Sequence, residues 1–143
     1  MIGPRTRKEH LRYRRYIREK DLSVCVFCGI TKDSSELIEQ TKNFQVIKND
    51  FPYSLWDAQT VIDHLMIIPM KHTDNLGTLT KDEKVEFVDL LSNYENKGYN
   101  VYARATSSAV KTVVHQHTHL IKTAGKIKSF FFMLKKPYFR IVK

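Results

Sequence analysis

Apolar and polar positions along the chain predict a mixture of strands and helices. Short apolar runs bounded by turn residues predict strands at residues 44–48, 65–69 and 99–105. Helical spacing of apolar residues predicts a helix from Thr6 to Lys20. A second helix is predicted to begin at the capping box in residues 80–83 and to end at Gly98, where a residue with left-handed freedom commonly closes a helix.

The remaining segments are predicted to be turns, loops and a closing hairpin. The turns and loops are expected at residues 21–35, 49–63 and 106–111. Residues 129–134 and 137–142 are expected to pair as the two strands of the hairpin. Mostly antiparallel strands with two helices indicate an α+β fold. We expect a single domain over residues 1–143, with the basic helix 1–20 and the hairpin segment 123–143 as appendages.

Three histidines stand at alternate positions of one β-branched, apolar run, residues 113–121. If this run is a strand, His115, His117 and His119 emerge on one face, roughly 7 Å from one to the next. Gln116, Thr118 and Leu120 then point to the other face. Imidazoles are poor core residues because their nitrogens need polar partners. The spacing therefore indicates a site for an anionic group or a metal.

Length and composition indicate a globular chain. With 143 residues, 42% hydrophobic and 27% charged, the sequence can bury a sizeable core. No apolar run approaches the ~20 residues that cross a membrane, and the first residues lead into charges instead of an apolar signal segment. We therefore predict a cytoplasmic protein that does not enter a membrane.

The net charge of +9 is concentrated at the two ends of the chain. Residues 1–20 hold eight Lys/Arg and two Glu, and residues 122–143 hold seven Lys/Arg and no acidic residue. These ends are either solvated surfaces or patches for a polyanion such as RNA or DNA. No base-reading motif accompanies them. We favour the first reading, and we expect Tyr13 and Tyr16 to dock the N-terminal helix on the body.

Two cysteines, Cys25 and Cys28, are separated by two residues. They are too few and too close together for a disulfide framework, so this spacing indicates a metal site or a redox pair. A thioredoxin-like pair needs a βαβ context that residues 21–35 do not supply. A metal site remains the favoured reading, and a pair without metal remains open.

Two segments of the chain are rich in histidine: residues 64–72, HLMIIPMKH, and residues 115–121, HQHTHLI. Together they resemble the histidine triad (HIT) superfamily of nucleotide hydrolases and transferases. The capped helix between them and the Cys-x-x-Cys turn also fit bacterial-type members. The resemblance covers roughly residues 25–122 and implies a HIT-like antiparallel sheet. The chain departs from the family pattern at Gln116 and Thr118, which replace apolar residues, and at Asp63, which replaces a glycine.

The resemblance assigns chemical roles to the histidines. His117, flanked by two imidazoles, is the candidate nucleophile, since a neutral imidazole attacks phosphorus well near pH 7. In the family this position forms a nucleotidyl-histidine intermediate. His119 and His64 are candidates to donate hydrogen bonds to the non-bridging oxygens as charge develops.

Further candidates surround the reacting phosphate and the nucleoside. Thr112 is expected to hydrogen-bond the leaving group, and Lys111 to bind phosphate, although both can also be plain loop residues. Asn49 and Asp57 are candidate ribose contacts, in the segment where the family pattern is least well preserved.

Four residues form a Cys₂His₂ set of the kind that zinc favours: Cys25, Cys28, His72 and His115. By similarity to zinc-containing members of the family, the first triad histidine turns toward the metal. Such a site is closed and four-coordinate, and hence structural.

The predicted function is hydrolysis or transfer at the α-phosphorus of a nucleoside phosphate derivative. Candidate substrates are nucleoside phosphoramidates, aminoacyl-adenylates and dinucleoside polyphosphates. One alternative is a metallohydrolase that uses Asp57 and Asp63 as carboxylate ligands. Another is a non-enzymatic adaptor that binds nucleotides or nucleic acid. The resemblance also implies a homodimer.

Overall fold

The computed structural model describes residues 5–21, 23–127, 129–132 and 139–142. In chain order the elements are α1 (Arg7–Glu19), β1 (Leu37–Gln40), β2 (Phe44–Lys48), β3 (Leu55–Trp56), β4 (Gln59–Pro69), α2 (Lys81–Asn96), β5 (Asn100–Ala103), β6 (Thr118–Ile127), β7 (Ser129–Phe132) and β8 (Phe139–Val142). A short 3₁₀ turn, Leu76–Thr78, precedes α2.

One antiparallel sheet carries most of the fold. Its strands follow the order β1-β2-β4-β6-β5, and β3 pairs with the start of β4. Strands β7 and β8 pair separately as an antiparallel ribbon. The architecture is therefore α+β with a mainly antiparallel sheet, as the sequence predicts. Predicted hairpin residues 133, 134, 137 and 138 lie outside the described residues.

The two faces of the sheet bury different residues because side chains alternate along a strand. One face packs against α2 and holds the main apolar cluster: Phe44, Val46, Leu65, Ile67, Leu79, Phe87, Leu90, Tyr94 and Leu120. The intervening residues Ile47, Met66 and Ile68 form a second cluster with Phe27. His64 lies two residues before Met66 on β4, and His119 pairs with Met66 across the sheet. Both histidines therefore lie on the face of the second cluster, opposite α2.

Helix α1 lies over the face that bears the histidines. It begins at a complete capping box formed by Thr6 and Glu9. The rings of Tyr13 and Tyr16 contact Phe51, with centroids 5.3 and 4.6 Å away. The backbone N–H of Thr6 donates to Ser54 Oγ at 2.9 Å. The expected docking of this helix through its tyrosines is confirmed, and the contacts reach the loop that follows β2.

The predicted long loop over residues 49–63 is wrong in its second half. Leu55 and Trp56 form β3, a two-residue turn follows at Asp57 and Ala58, and β4 already begins at Gln59. Both turn residues have positive φ, 46° and 62°, as a tight hairpin of this type requires. The sequence carries no glycine at this turn, so its usual signal is missing.

The predicted strand over residues 113–121 is also only partly correct. Regular pairing begins at Thr118, and residues 112–117 form an irregular segment with a bend at His115. In the other direction β6 continues to Ile127, where it pairs with Gln59 of β4. The segment predicted as a hairpin appendage from residue 123 is therefore partly sheet. Pairing between distant segments sets these limits, and local sequence does not carry that information.

The sequence pattern does not predict β1, because Leu37–Gln40 has only four residues and does not alternate between apolar and polar positions.

Within the described ranges, no helix is long and apolar enough to cross a membrane.

Candidate active site

A cavity of about 630 Å³ lies between α1 and the sheet face that bears the histidines. Its walls come from α1, the cysteine turn, the loop after β2 and the segment before β6. His117 and His119 both line it, although each side chain is more than 90% buried. The cavity therefore places two imidazoles at a solvent-connected surface while most of each ring packs against protein.

The segment that carries His115 and His117 is held in place by its polar residue Gln116. The backbone N–H of Gln116 donates to Thr73 O at 2.6 Å. Its side-chain Oε1 accepts a hydrogen bond from Lys111 Nζ at 2.9 Å. These contacts replace the sheet pairing that the segment lacks, and they give a structural reason for a polar residue between two histidines.

His117 has a defined orientation. Its Nδ1 lies 2.8 Å from the backbone carbonyl of His115, which can only accept a hydrogen bond. Nδ1 therefore carries the proton, and the lone pair of the neutral ring is on Nε2. Burial lowers the pKa of His117, which favours the neutral ring at pH 7. Phe27 contacts the ring edge-on, with centroids 5.3 Å apart. A neutral, oriented imidazole with a free Nε2 suits nucleophilic attack.

His64 and His119 form a hydrogen-bonded pair whose proton positions follow from their surroundings. The backbone N–H of Tyr53 donates to His64 Nδ1 at 3.0 Å, so the proton of neutral His64 is on Nε2. That Nε2 donates to His119 Nδ1 at 2.9 Å. The proton of neutral His119 is consequently on its own Nε2. His119 is thus a hydrogen-bond donor beside the free lone pair of His117, with ring centroids 5.0 Å apart.

Burial keeps both members of the pair neutral. Loss of solvation lowers the pKa of His64 to about 3 and that of His119 to about 2. For His119, the neighbouring rings of His117 and His64 and the guanidinium groups of Arg104 and Arg5 lower the pKa further. His64 lies behind His119 and is not among the described residues that line the cavity. It therefore orients His119 and does not itself face the cavity.

Thr112, Lys111 and Asn49 all line the cavity. Thr112 Oγ1 lies 2.5 Å from the hydroxyl of Tyr13 on α1, so the helix and the candidate leaving-group contact are joined directly. Lys111 Nζ donates to the carbonyl oxygen of Asp74 at 3.2 Å as well as to Gln116. The ammonium group is thus already partly hydrogen-bonded by the protein.

Asn49 and Asp57 lie in different places. Asn49 Oδ1 accepts the backbone N–H of Phe51 at 2.9 Å, and its Nδ2 lies 3.2 Å from His64 Nε2. Asp57 is exposed at the tip of the β3–β4 turn and is not among the described residues lining the cavity. The structure thus brings Asn49 to the histidines and leaves Asp57 apart from them.

Asp63 is directed away from the candidate site. Its Oδ2 accepts a short hydrogen bond from the Tyr99 hydroxyl, and its Oδ1 accepts the N–H of His64 at 2.9 Å. Burial and this carboxylate raise the pKa of Tyr99 to about 12. Neither Asp57 nor Asp63 belongs to the cluster of metal-ligating groups found in the described part of the chain. The carboxylates that a metallohydrolase would need are therefore not gathered at the histidines.

The four predicted zinc ligands come together. One ligand atom from each of Cys25, Cys28, His72 and His115 lies within 4.8 Å of the other three. Cys25 Sγ is 3.3 Å from His115 Nδ1, and Cys28 Sγ is 3.2 Å from His72 Nδ1. Zinc bonds of about 2.3 Å to sulfur and about 2.0 Å to nitrogen place tetrahedral ligands at comparable separations.

The ring of His115 is oriented for metal binding. Its Nε2 lies 2.9 Å from the carbonyl oxygen of Pro69, so Nε2 carries the proton and the Nδ1 lone pair faces the cysteines. A hydrogen bond from the far nitrogen to a carbonyl is the usual support of a histidine ligand. The donor set and its supports therefore fit a structural zinc ion.

Sequence reasoning did not single out Arg5, Arg104 or Tyr53. All three line the same cavity. Tyr53 is buried, and its ring centroid lies 5.5 Å from that of His119. Arg5 precedes α1 and Arg104 follows β5, so only the tertiary fold brings them to the histidines. Their charge is evident in the sequence, but their position is not.

The fold is similar to that of histidine triad proteins of known structure. A HIT family hydrolase from Clostridium thermocellum is 24% identical, with a TM-score of 0.54 over 73% of this chain and 95% of that one. A hypothetical histidine triad nucleotide-binding protein from Sulfolobus tokodaii is 23% identical, with a TM-score of 0.55 over 78% of this chain and 77% of that one. A zinc-bound histidine triad family protein from Mycobacterium smegmatis is 21% identical, with a TM-score of 0.53 over 73% and 80%.

No protein-family model matches the sequence, and no curated protein does. At these identities the structural likeness shows the fold. The chain therefore has the histidine triad fold, and its buried residues His117 and His119 line the cavity.

Proposed function

We propose that this protein is a nucleotide hydrolase or nucleotidyl transferase that acts at the α-phosphorus of a nucleoside phosphate derivative. The observation that carries the proposal is the orientation of His117. Its Nδ1–H is held by the His115 carbonyl, so its Nε2 lone pair is free in a cavity that His119 also lines. The histidine triad fold of the hydrolase and nucleotide-binding proteins described above supports the same reading.

The reaction proceeds in two displacements. Nε2 of His117 attacks the α-phosphorus, a P–N bond forms, and the bond from phosphorus to the leaving group breaks. The leaving group takes the electron pair and is protonated from solvent, while the hydroxyl of Thr112 donates a hydrogen bond to it. Water or another acceptor then attacks phosphorus and loses its proton to solvent, the P–N bond breaks, and His117 recovers its lone pair. Splitting the displacement in this way lowers each barrier.

His119 stabilises the charge that develops on the phosphoryl oxygens. Its Nε2–H is a fixed donor whose orientation is set by His64, and such pre-arranged donors lower barriers without reorganising during the reaction. His64 is a positioning residue in this scheme. Lys111 adds positive charge near the phosphate, and Asn49 is the candidate ribose contact.

Zinc has a structural role in this proposal. Cys25, Cys28, His72 and His115 would hold it, and it would tie the cysteine turn to the segment that carries His117. The zinc-bound histidine triad protein from Mycobacterium smegmatis is a precedent in the same fold. The homodimer expected from the resemblance remains a prediction, as does the ribose contact assigned to Asp57.

A product screen tests the proposed function. Purified protein is incubated with adenosine and guanosine phosphoramidates, acyl-adenylates and dinucleoside polyphosphates, without added metal. Release of the nucleoside monophosphate is expected from at least one class. Quenching during turnover with a denaturant at alkaline pH, where a bond from phosphorus to imidazole nitrogen is stable, should trap nucleotide covalently on wild-type protein and not on His117→Asn.

Two other results would point elsewhere. Turnover that requires added metal and leaves no trapped nucleotide would indicate a metallohydrolase. Tight nucleotide binding without release of product from any substrate would indicate a non-enzymatic adaptor.

A further inference from the structure

Two guanidinium groups at the histidine cavity contact the same tyrosine, Tyr53. The guanidinium carbon of Arg5 is 4.9 Å from the ring centroid of Tyr53. Arg104 Nη2 donates to the Tyr53 hydroxyl at 3.3 Å. The same Tyr53 ring lies 5.5 Å from the ring of His119. Two cations from distant parts of the chain therefore lie against Tyr53, whose ring is next to the ring of His119.

Neither guanidinium has a carboxylate partner among the described residues. The single ion pair found in that part of the chain joins Lys71 to Glu83, away from this cavity. The Nε and Nη2 atoms of Arg5 donate to the carbonyl oxygen of Phe51, at 3.2 and 2.7 Å, and leave one terminal nitrogen free of that contact. Glu9 is the acidic group whose charge acts on Arg5, and its carboxylate accepts hydrogen bonds from the hydroxyl groups of Thr6 and Ser54.

Both arginines are half-buried, which removes part of their hydration. A guanidinium taken from water without an anionic partner costs free energy, and the cost is recovered when an anion binds. Burial lowers the pKa of Arg5, and repulsion from Arg104 adds to the lowering, so the two charges are close enough to disfavour each other. The described cavity lining as a whole holds seven Lys/Arg against two acidic residues, so its field also favours an anion.

We propose that Arg5 and Arg104 form an anion subsite that binds a second phosphate group of the substrate, next to the phosphate that His117 attacks. The inference rests on the proposed function and refines it. Planar guanidinium groups bind phosphate oxygens through paired N–H donors, and two of them match the charge of a di- or polyphosphate chain. The preferred substrates are then nucleoside polyphosphate derivatives, including dinucleoside polyphosphates, and not phosphoramidates, which carry a single phosphate.

Binding of inorganic pyrophosphate provides a test that needs no turnover. Its dissociation constant is measured by calorimetry at fixed ionic strength for wild type, Arg5→Gln, Arg104→Gln and the control Arg15→Gln, whose side chain is exposed on α1 and does not line this cavity. We expect each subsite variant to weaken pyrophosphate binding at least ~10-fold, and the control to change it less than ~2-fold. An equal loss in the control would mean that only the overall charge matters and would overturn the subsite.

Substrate selectivity provides the second readout. The ratio of kcat/KM for diadenosine tetraphosphate to kcat/KM for adenosine 5′-phosphoramidate should fall at least ~10-fold in Arg104→Gln, and Arg104→Lys should recover part of it. Arg104 makes no contact with α1 among the described hydrogen bonds, so a loosened helix cannot explain its effect. Thermal unfolding of Arg5→Gln, which loses a contact to the loop, shows whether that variant keeps its fold.

The two proposals fail in different ways. Arginine-dependent pyrophosphate binding without turnover of any nucleotide would keep the subsite and reject the proposed function. Nucleotide turnover with unchanged selectivity and unchanged pyrophosphate affinity in both subsite variants would keep the function and reject the subsite.

Discussion

His117 Nδ1 donates a hydrogen bond to the backbone carbonyl of His115, over 2.8 Å. The ring of His115 meanwhile turns to the cysteines, with its Nδ1 3.3 Å from Cys25 Sγ. One residue thus belongs to the candidate metal cluster through its side chain and orients the candidate nucleophile through its backbone. The candidate metal cluster and the candidate nucleophile therefore share His115 as a common neighbour.

Replacing the candidate nucleophile should abolish turnover. His117→Asn and His117→Gly remove Nε2, and we expect kcat to fall at least ~10³-fold, about 4 kcal/mol on the barrier. Nucleotide binding should survive, because the cavity walls remain. The measurement is steady-state turnover on the best substrate of the product screen, together with the dissociation constant of the nucleoside monophosphate. Near-normal turnover in either variant would exclude covalent catalysis by His117.

The metal cluster should hold about one zinc per chain by elemental analysis. Cys28→Ser should lower both the zinc content and the unfolding temperature, because a structural metal contributes its binding free energy to folding. Zinc removal from wild type by a chelator serves as the matched comparison and should give the same loss of stability. A metal-free wild type of unchanged stability would show that the cysteine turn only packs against the sheet.

Stability should depend on pH through His64. Its pKa is about 3 in the folded protein and about 6.5 in an unfolded chain, so the unfolded state binds more protons between these values. The stabilisation is fully present above pH 6.5 and is lost as pH falls toward 3. We expect the free energy of unfolding, measured in urea from pH 4.5 to 7.5, to decline with acidification, by at most ~1.4 kcal/mol per pH unit for each such group.

The variant His64→Gln separates this contribution from others. It should flatten the pH dependence relative to wild type, since glutamine does not titrate, while protonation of the zinc ligands affects both proteins alike. Identical slopes for the two proteins below pH 6.5 would contradict the assignment of a buried neutral His64.

The basic helix α1 should stabilise the protein by packing. Phe51→Ala removes the surface that Tyr13 and Tyr16 contact without changing any charge, and we expect it to lower the free energy of unfolding by about 1–3 kcal/mol. Deletion of residues 1–20 should also destabilise the chain. Denaturant unfolding of wild type and of both variants provides the measurement.

A polyanion-binding role for the same helix predicts a different pattern. Affinity for single-stranded RNA would then fall steeply with salt, and the slope would flatten when residues 1–20 are removed. We expect weak RNA binding with little difference between the full chain and the deletion variant. A strong, salt-dependent affinity that disappears with the helix would show that the outer face of α1 is a binding surface.

The sequence by itself determined the elements whose signals are local. The capping box at Thr80 marks the start of α2, and the helical spacing of apolar residues indicates α1, since both signals depend on residues within a few turns. The two histidine segments and the cysteine pair indicated both candidate sites, because their chemistry depends on residue type and short spacing. The ligand set of Cys25, Cys28, His72 and His115 followed from the family resemblance and is brought together in the structure.

Only the tertiary structure decided how the histidines are arranged around the cavity. Which nitrogen of His64 and His119 carries the proton depends on Tyr53 N–H, a donor 11 residues away from His64. The limits of β4 and β6 depend on pairing between segments about 55 residues apart. The position of α1 over the cavity depends on its contacts with Phe51, Ser54 and Thr112, which are also distant in the chain. Arg5 and Arg104 both contact Tyr53 only because the folded chain brings these distant segments together. Such contacts gain their free energy from burial and pairing across the folded chain, so no local pattern of residues can specify them.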